Sequence, residues 1–163
     1  MVEAQGSRDD CRERRKQGDC MKRLVVLIMF VATVAGALEQ HGDWKSSVSV
    51  DAMTDEREAI AMTHGVHHSE DPRLVIDHDG AVLIFVDSYF TYDTELLVRI
   101  GDGEVRRYDV DVYQHGMVVN GIDAVEIATA DKVVMRFDTV RGQITTEFST
   151  DGAVEALDRV LGK

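Results

Sequence analysis

Three histidines fall within five residues, His64, His67 and His68, with Glu70 and Asp71 directly after them and His78 further on. Borderline divalent metals take imidazole nitrogens and carboxylate oxygens, and a site needs three or four of them to converge. The spacing here matches no zinc signature. On an extended strand His64 and His68 share a face while His67 points away, so convergence requires the chain to turn. Two readings stand: a metal site built from His64, His67, His68 and His78, or a polar strand end and loop.

Carboxylates offer a second chemistry. Asp109 and Asp111, two apart on one strand, lie about 6.6–6.8 Å from each other at ~3.3–3.4 Å per residue. That overlaps the low end of the inverting glycosidase separation. Two residues on one flat strand face cannot clasp a bond from opposite sides, however, and a solvated face is the expectation. Asp77-His78-Asp79-Gly80 lacks the third acidic position and the terminal Glu of a calcium loop, and is read as a turn. The chain has no Gly-x-Ser-x-Gly elbow and no phosphate-cradling glycine loop. The expectation is therefore a protein that is not an enzyme, with no catalytic residues and no cofactor. The remaining chemistry is recognition. Tyr89, Phe90 and Tyr92 form an aromatic cluster between two strands, either a partner-binding patch or a loop folded over the sheet edge. Trp44, the single tryptophan, is either a partner anchor or the plug that ties the first strand to the core.

The elements that carry these residues are mostly strands. Ser47 to Val50 alternates, and Ala59 to His67 places Ile60, Met62 and His64 on one side. Leu74-Val75-Ile76 runs through Asp77–Gly80 into Ala81–Val86, and an Asp-Gly between two apolar runs predicts a hairpin. The same device at Asp102-Gly103 joins Glu95–Ile100 to Val105–Val112. There Tyr108, Val110 and Val112 face one way and Arg107, Asp109 and Asp111 the other, the one-face-buried pattern of an antiparallel strand. A third hairpin, Lys132–Val140 with Gln143–Ser149, turns near Arg141-Gly142. Between the second and third hairpins, Ile122–Ala130 suits a short helix with Ile122, Val125 and Ile127 or Ala128 inward. Asp151–Leu161 forms a clearer helix, with Ala153, Val154, Leu157, Val160 and Leu161 as its apolar stripe, Thr150 or Asp151 as its cap and Gly162 as its stop. The fold class expected is mainly β: an antiparallel β-sandwich or curved sheet of hairpins with a short helix and a C-terminal helix.

Upstream, Met21-Lys22-Arg23 precedes the apolar run Leu24–Leu38, which ends in Ala35-Gly36-Ala37. A basic start, a short hydrophobic core and a small-x-small site make a secretory signal, too short for the roughly 20 apolar residues of a membrane span. The expected organisation is 1–20 as a non-native or mis-annotated extension with translation starting at Met21, 21–37 as a signal peptide, and 38–163 as a single β-rich domain. The alternative is a retained anchor with a cytosolic tail. Residues 1–37 hold seven basic and five acidic residues, so their removal takes Lys+Arg from 18 to 11, Asp+Glu from 30 to 25 and the net charge from −12 to −14. Cys11 and Cys20 leave with them, and the remaining 126 residues suffice for a core without disulfides. So acidic a chain disfavours nucleic acid, whose phosphates need clustered Lys and Arg. The expectation is a periplasmic or secreted domain with a protein partner in the cell envelope, no nucleic acid and no membrane contact after cleavage.

Several short segments carry a resemblance. Trp44, Ser46-Ser47 and Asp51-Ala52-Met53-Thr54-Asp55 look like the opening W…S…D-x-M-T-D of small exported proteins. Leu74-Val75-Ile76, the Phe85 strand, Asp93-Thr94, Val98-Arg99-Ile100, Thr146-Glu147-Phe148, and Gly152 with Ala156-Leu157 follow in order. Together they resemble the type VI secretion-associated family called VasI or TagO. The cysteines common in that family are absent; Asp77 or His78 and Lys163 stand instead. The resemblance implies a periplasmic accessory or binding domain of β-sandwich type, without known catalysis.

Overall fold

The structure, a computed structural model, describes residues 38–50, 56–66 and 69–162. The prefix and leader (1–37), the Asp51–Asp55 motif, His67, His68 and Lys163 lie outside the described residues. The described residues are mainly β, in two antiparallel sheets with two helices. The strands are β1 (Glu39–His41), β2 (Trp44–Val50), β3 (Arg57–His64), β4 (Arg73–Asp77), β5 (Val82–Phe85), β6 (Leu96–Ile100), β7 (Arg106–Tyr108), β8 (Val110–Val112), β9 (Gly116–Val119), β10 (Lys132–Thr139) and β11 (Gly142–Ser149). The helices are α1 (Ala124–Thr129) and α2 (Ala153–Leu161). The larger sheet has the order β1-β2-β3-β4-β5-β9-β8 and the smaller one β11-β10-β6-β7.

Local chemistry accounts for the turns. In the β4–β5 hairpin the Asp77 carboxylate accepts from the backbone N–H of Asp79 and of Ala81, both at 2.9 Å, and Gly80 takes φ +79°. The turn expected from Asp77-His78-Asp79-Gly80 is what forms. β10 and β11 close through Val140-Arg141, with Thr139 opposite Gly142.

Period-two alternation then fills the core. Leu74 and Ile76 of β4, Val82 and Ile84 of β5, Leu96 and Val98 of β6, and Met135 and Phe137 of β10 all bury inward, each at most 1% exposed. The two sheets meet at two corners. Gly65, just past β3, bridges Phe148 of β11, and Val66 N–H donates to the Glu147 carbonyl at 2.8 Å. A Cβ on Gly65 would lie 2.3 Å from Thr146 Oγ1 and 2.8 Å from Pro72 Cγ, so this corner requires glycine. At the other corner one strand crosses over. It was expected to be continuous over Val105–Val112, but it pairs with β6 only as far as Tyr108, breaks at Asp109, and resumes as β8 beside β9 in the other sheet. The alternation of Tyr108, Val110 and Val112 holds through the break, because all three still face the core. Strand β9 had no sequence expectation; its Gly-Met-Val-Val run is short and flanked by polar residues.

Both helices form where the periodicity placed them, with corrected faces. In α1 the inward residues are Ala124, Ile127 and Ala128, while Val125 is 44% exposed; Asp123 caps the helix by accepting from Val125 N–H at 2.9 Å. In α2 the buried stripe is Ala153, Ala156, Leu157 and Val160, and Val154 lies outside it at 44% exposure. Its N-cap is Gly152 in the left-handed region (φ +81°), not Thr150 or Asp151. The reason is a close approach: a Cβ at 152 would sit 1.9 Å from the His41 carbonyl oxygen. The Thr150 hydroxyl donates instead to the Ala130 carbonyl at 2.6 Å, and the Asp151 carbonyl accepts from Asp43 N–H at 3.0 Å. α2 thereby packs on β2 and β3 and against α1. Gly162 ends it, as expected.

Candidate functional site

Four segments converge at one end of the sandwich: the β3–β4 connection, the strap 86–94 after β5, the start of β9, and the β10–β11 turn. The strap crosses from one sheet to the other and is held on both sides. Val86 N–H donates to His115 carbonyl at 3.0 Å and Phe90 N–H to Gln114 carbonyl at 3.2 Å. On the other side Val140 N–H donates to Tyr89 carbonyl at 2.9 Å, and Phe90 bridges Thr139.

The strap sorts its aromatics. Phe90 is 5% exposed and packs on Phe137 with centroids 5.4 Å apart, a core plug. Tyr89 is half-exposed and lies tilted against His115 at 4.5 Å, and Tyr92 is 95% exposed. The His115 ring is fixed in turn by Nδ1, 2.7 Å from the Ser88 carbonyl oxygen, to which it donates. Val140, 62% exposed, adjoins Tyr89 through the backbone bond between them. Of the four residues expected to make an interaction surface, Tyr89 and Tyr92 are therefore at the surface. Phe90 and Trp44 are in the core; Trp44 is fully buried and its indole N–H donates to the Ser149 carbonyl at 2.8 Å.

Charges line the same end. His64 Nδ1 lies 2.9 Å from Asp71 Oδ1, Arg73 Nε lies 3.7 Å from Asp71 Oδ2, and Arg73 Nη2 donates to Asp87 Oδ1 at 3.0 Å. Asp71 adopts φ +41°, uncommon for a residue with a Cβ. Glu70, its side chain 4% exposed, accepts from Arg141 Nη1 at 3.0 Å, while its carbonyl receives Asp87 N–H. Arg141 and Glu70 are 71 residues apart, so no sequence spacing announces the pair. The signal that could have found this end is the placement of Tyr89 and Arg141 beside two strand termini.

The histidines separate. His64 pairs with Arg73 at one end of the β3–β4 ladder and Ile60 with Asp77 at the other, so His64 and His78 stand more than about 13 Å apart along it. His78 sits by Asp79 in the β4–β5 turn. His67 and His68 lie outside the described residues. Among the described residues no group of three or more His, Cys, Asp or Glu could hold a metal ion. Asp109 and Asp111 are both exposed, and Asp111 Oδ2 accepts from Asn120 at 3.2 Å. Burial pushes the Asp77 carboxyl above the usual carboxylate range, against the backbone N–H bonds from Ala81 and Asp79.

The arrangement can grip a surface. It presents a tyrosine pair on a braced strap, an adjacent aliphatic side chain, and an arginine held in place by a buried acid. Among the described residues no helix is long and apolar enough to cross a membrane. Compared with known proteins, the chain matches no protein-family model, no curated protein and no solved structure.

Proposed function

We propose that this chain is an exported accessory domain of the cell envelope that binds a protein partner through the Tyr89–Tyr92 end and catalyses no reaction itself. The observation that carries the reading is Tyr92, 95% exposed on a strap that is hydrogen-bonded into both sheets, with half-exposed Tyr89 braced on His115 beside it. Braced aromatics lose little conformational entropy on binding, and tyrosine and arginine dominate interface hot spots. Arg141 stands next to Val140 in the same turn and supplies the polar rim. The leader-like Met21–Ala37 segment and the resemblance to the VasI/TagO type support the export and accessory parts of the reading; association with a secretion system is the finer form of the same proposal. The strongly negative net charge disfavours a nucleic-acid partner.

The test is expression with the native leader in a Gram-negative host, followed by fractionation, intact mass and cross-linked partner capture. A periplasmic species beginning at Leu38 is expected. It should capture a partner that the Tyr89→Ala/Tyr92→Ala double variant does not. A full-length membrane-bound species would sink the export reading, and capture unchanged by the double variant would sink the site.

A further inference from the structure

The sequence has a single asparagine, Asn120, and a glycine follows it. Asn120 is the first residue after β9, exposed and in a bend. One step beyond the Val110–Val119 pair, it stands against Asp109, where the crossing strand changes sheets, and its N–H donates to the Asp109 carbonyl at 2.9 Å. Asp111 lies on the diagonal, and its Oδ2 accepts from Asn120 Nδ2 at 3.2 Å. The Asn120 amide therefore ties β9 to β8 beside two exposed carboxylates. Gly121 has φ +78°, and nothing lies within 4 Å of where its Cβ would be. Among the described residues its N–H makes no backbone hydrogen bond.

We propose that Asn120 is a modification site: it deamidates through Gly121 without an enzyme, and the product turns the tie between β8 and β9 into a repulsion. The Gly121 backbone nitrogen, its proton lost to hydroxide, bonds to Cγ of Asn120. The Cγ–Nδ2 bond breaks, and Nδ2 leaves as ammonia with a proton taken from water. A succinimide ring remains, which water opens in either of two ways. Attack at Cγ leaves aspartate at position 120. Attack at the main-chain carbonyl carbon leaves isoaspartate, with the backbone routed through the side chain. Water is consumed and ammonia released, with no oxidant, reductant or other reactant.

The site favours this attack. A glycine carries no side chain to shield the attacking nitrogen, and this nitrogen gives up no backbone hydrogen bond. The bond to Asp111 holds Nδ2, the atom that leaves, and not Cγ, the atom attacked. Asn120 and Gly121 lie outside every strand and helix, so ring closure needs only local opening. The product reverses the local chemistry. Asp111 loses its donor, and a carboxylate at 120 faces Asp111 and Asp109, like charges across a strand pair. Isoaspartate also lengthens the short connection from β9 to α1 by one backbone carbon. The inference stands apart from the partner-binding reading, since it concerns the open end of the β8–β9 pair and not the strap.

The test is intact mass of the protein, expressed with its own leader, purified and held at growth temperature at mildly acidic and mildly alkaline pH. The free peptide Val-Asn-Gly-Ile is held in the same buffers. With no second asparagine in the sequence, a gain of a single dalton reports position 120, and peptide mapping locates it. The gain is expected to accumulate within about tenfold of the free peptide's rate, because an exposed bend opens at little cost. It should be faster at alkaline pH and absent from Asn120→Gln, whose longer side chain closes a larger ring. A mass that stays constant while the peptide converts overturns the site, as does a gain mapped to a glutamine. Asn120→Asp carries the side chain of the direct product. Folded by far-UV circular dichroism, it should unfold at lower denaturant concentration than the parent at neutral pH. A midpoint equal to or above the parent's overturns the repulsion. Partner capture through Tyr89 and Tyr92 enters neither readout, so the two proposals fail separately.

Discussion

The indole N–H of Trp44 donates to the carbonyl oxygen of Ser149 at 2.8 Å, joining β2 of the larger sheet to the last residue of β11 in the smaller one, 105 residues away. The ring itself is fully buried in the core cluster to which Ala59, Ala61 and α2 also contribute. Trp44 is therefore a tie between layers as well as core volume, and the two contributions can be separated. Trp44→Phe should cost about 1–3 kcal/mol, since the Ser149 carbonyl is left without that donor. Trp44→Ala should cost about 3–5 kcal/mol by adding a cavity. Denaturant unfolding measures both; equal losses for the two variants would show that the hydrogen bond, not the ring, carries the effect.

Gly65 is the second tie, and its constraint is steric. Gly65→Ala drives a methyl into Thr146 Oγ1 and Pro72, and a loss of about 1–3 kcal/mol is expected from overpacking. Gly80→Ala is the control: nothing lies within 4 Å of its Cβ, so only the positive φ opposes it. Thermal unfolding that ranks Gly80→Ala as the more damaging would refute the close-packed corner.

Arg141 faces a carboxylate whose side chain is 4% exposed, while its own is 68% exposed. Removing the cation is costlier than the surface position of Arg141 suggests, because the buried Glu70 charge loses a facing opposite charge. Arg141→Ala should lose about 1–3 kcal/mol, discounted from a fully buried pair for solvent screening. Arg141→Ala combined with Glu70→Gln should recover part of that loss. A double variant less stable than the single would contradict the pairing.

Asp77 supplies the pH dependence. Its carboxyl is raised above the ordinary value by burial, so the folded state holds this proton to higher pH than the unfolded state does. Its contribution to stability therefore rises as pH falls through the folded value towards 3.8, and burying the charge is a net cost at neutral pH. Asp77→Asn, which can still accept from the Asp79 and Ala81 N–H groups, should be at least as stable as the parent at pH 7. The difference should narrow as pH falls through the folded value towards 3.8. A difference that is constant with pH would remove Asp77 as its source.

Tyr92, by contrast, touches little. Tyr92→Ala should leave stability within about 0.5 kcal/mol in thermal unfolding while weakening partner capture. A large loss of stability would mean that Tyr92 is structural and not part of a binding surface.

Element types are legible in the residue pattern. Alternation along β10 and β11, Asp-Gly turns after β4 and β6, and the 3.6-residue stripe of α2 are local signals, because side-chain direction in a strand or helix follows from backbone geometry alone. Both helices appear where they were expected, and their faces were misjudged by single residues, Val125 and Val154. Periodicity gives an apolar stripe, but which edge of the stripe meets the core depends on the neighbouring layer.

How the elements meet depends on contacts between residues distant in the chain. The break at Asp109 that sends one strand into two sheets follows from closing a sandwich corner, and no residue between Tyr108 and Val110 advertises it. The burial of Phe90 beside the exposure of Tyr89 and Tyr92 is set by the strap's bonds to Gln114, His115 and Val140, all distant in sequence. The separation of His64 from His78 is a matter of strand register, since residues at opposite ends of an antiparallel ladder diverge by about 3.3 Å per step. The cross-strand row Met62–Val75–Leu83–Val118 is likewise invisible one strand at a time: four strands place one apolar residue each in the same register, and only pairing fixes register.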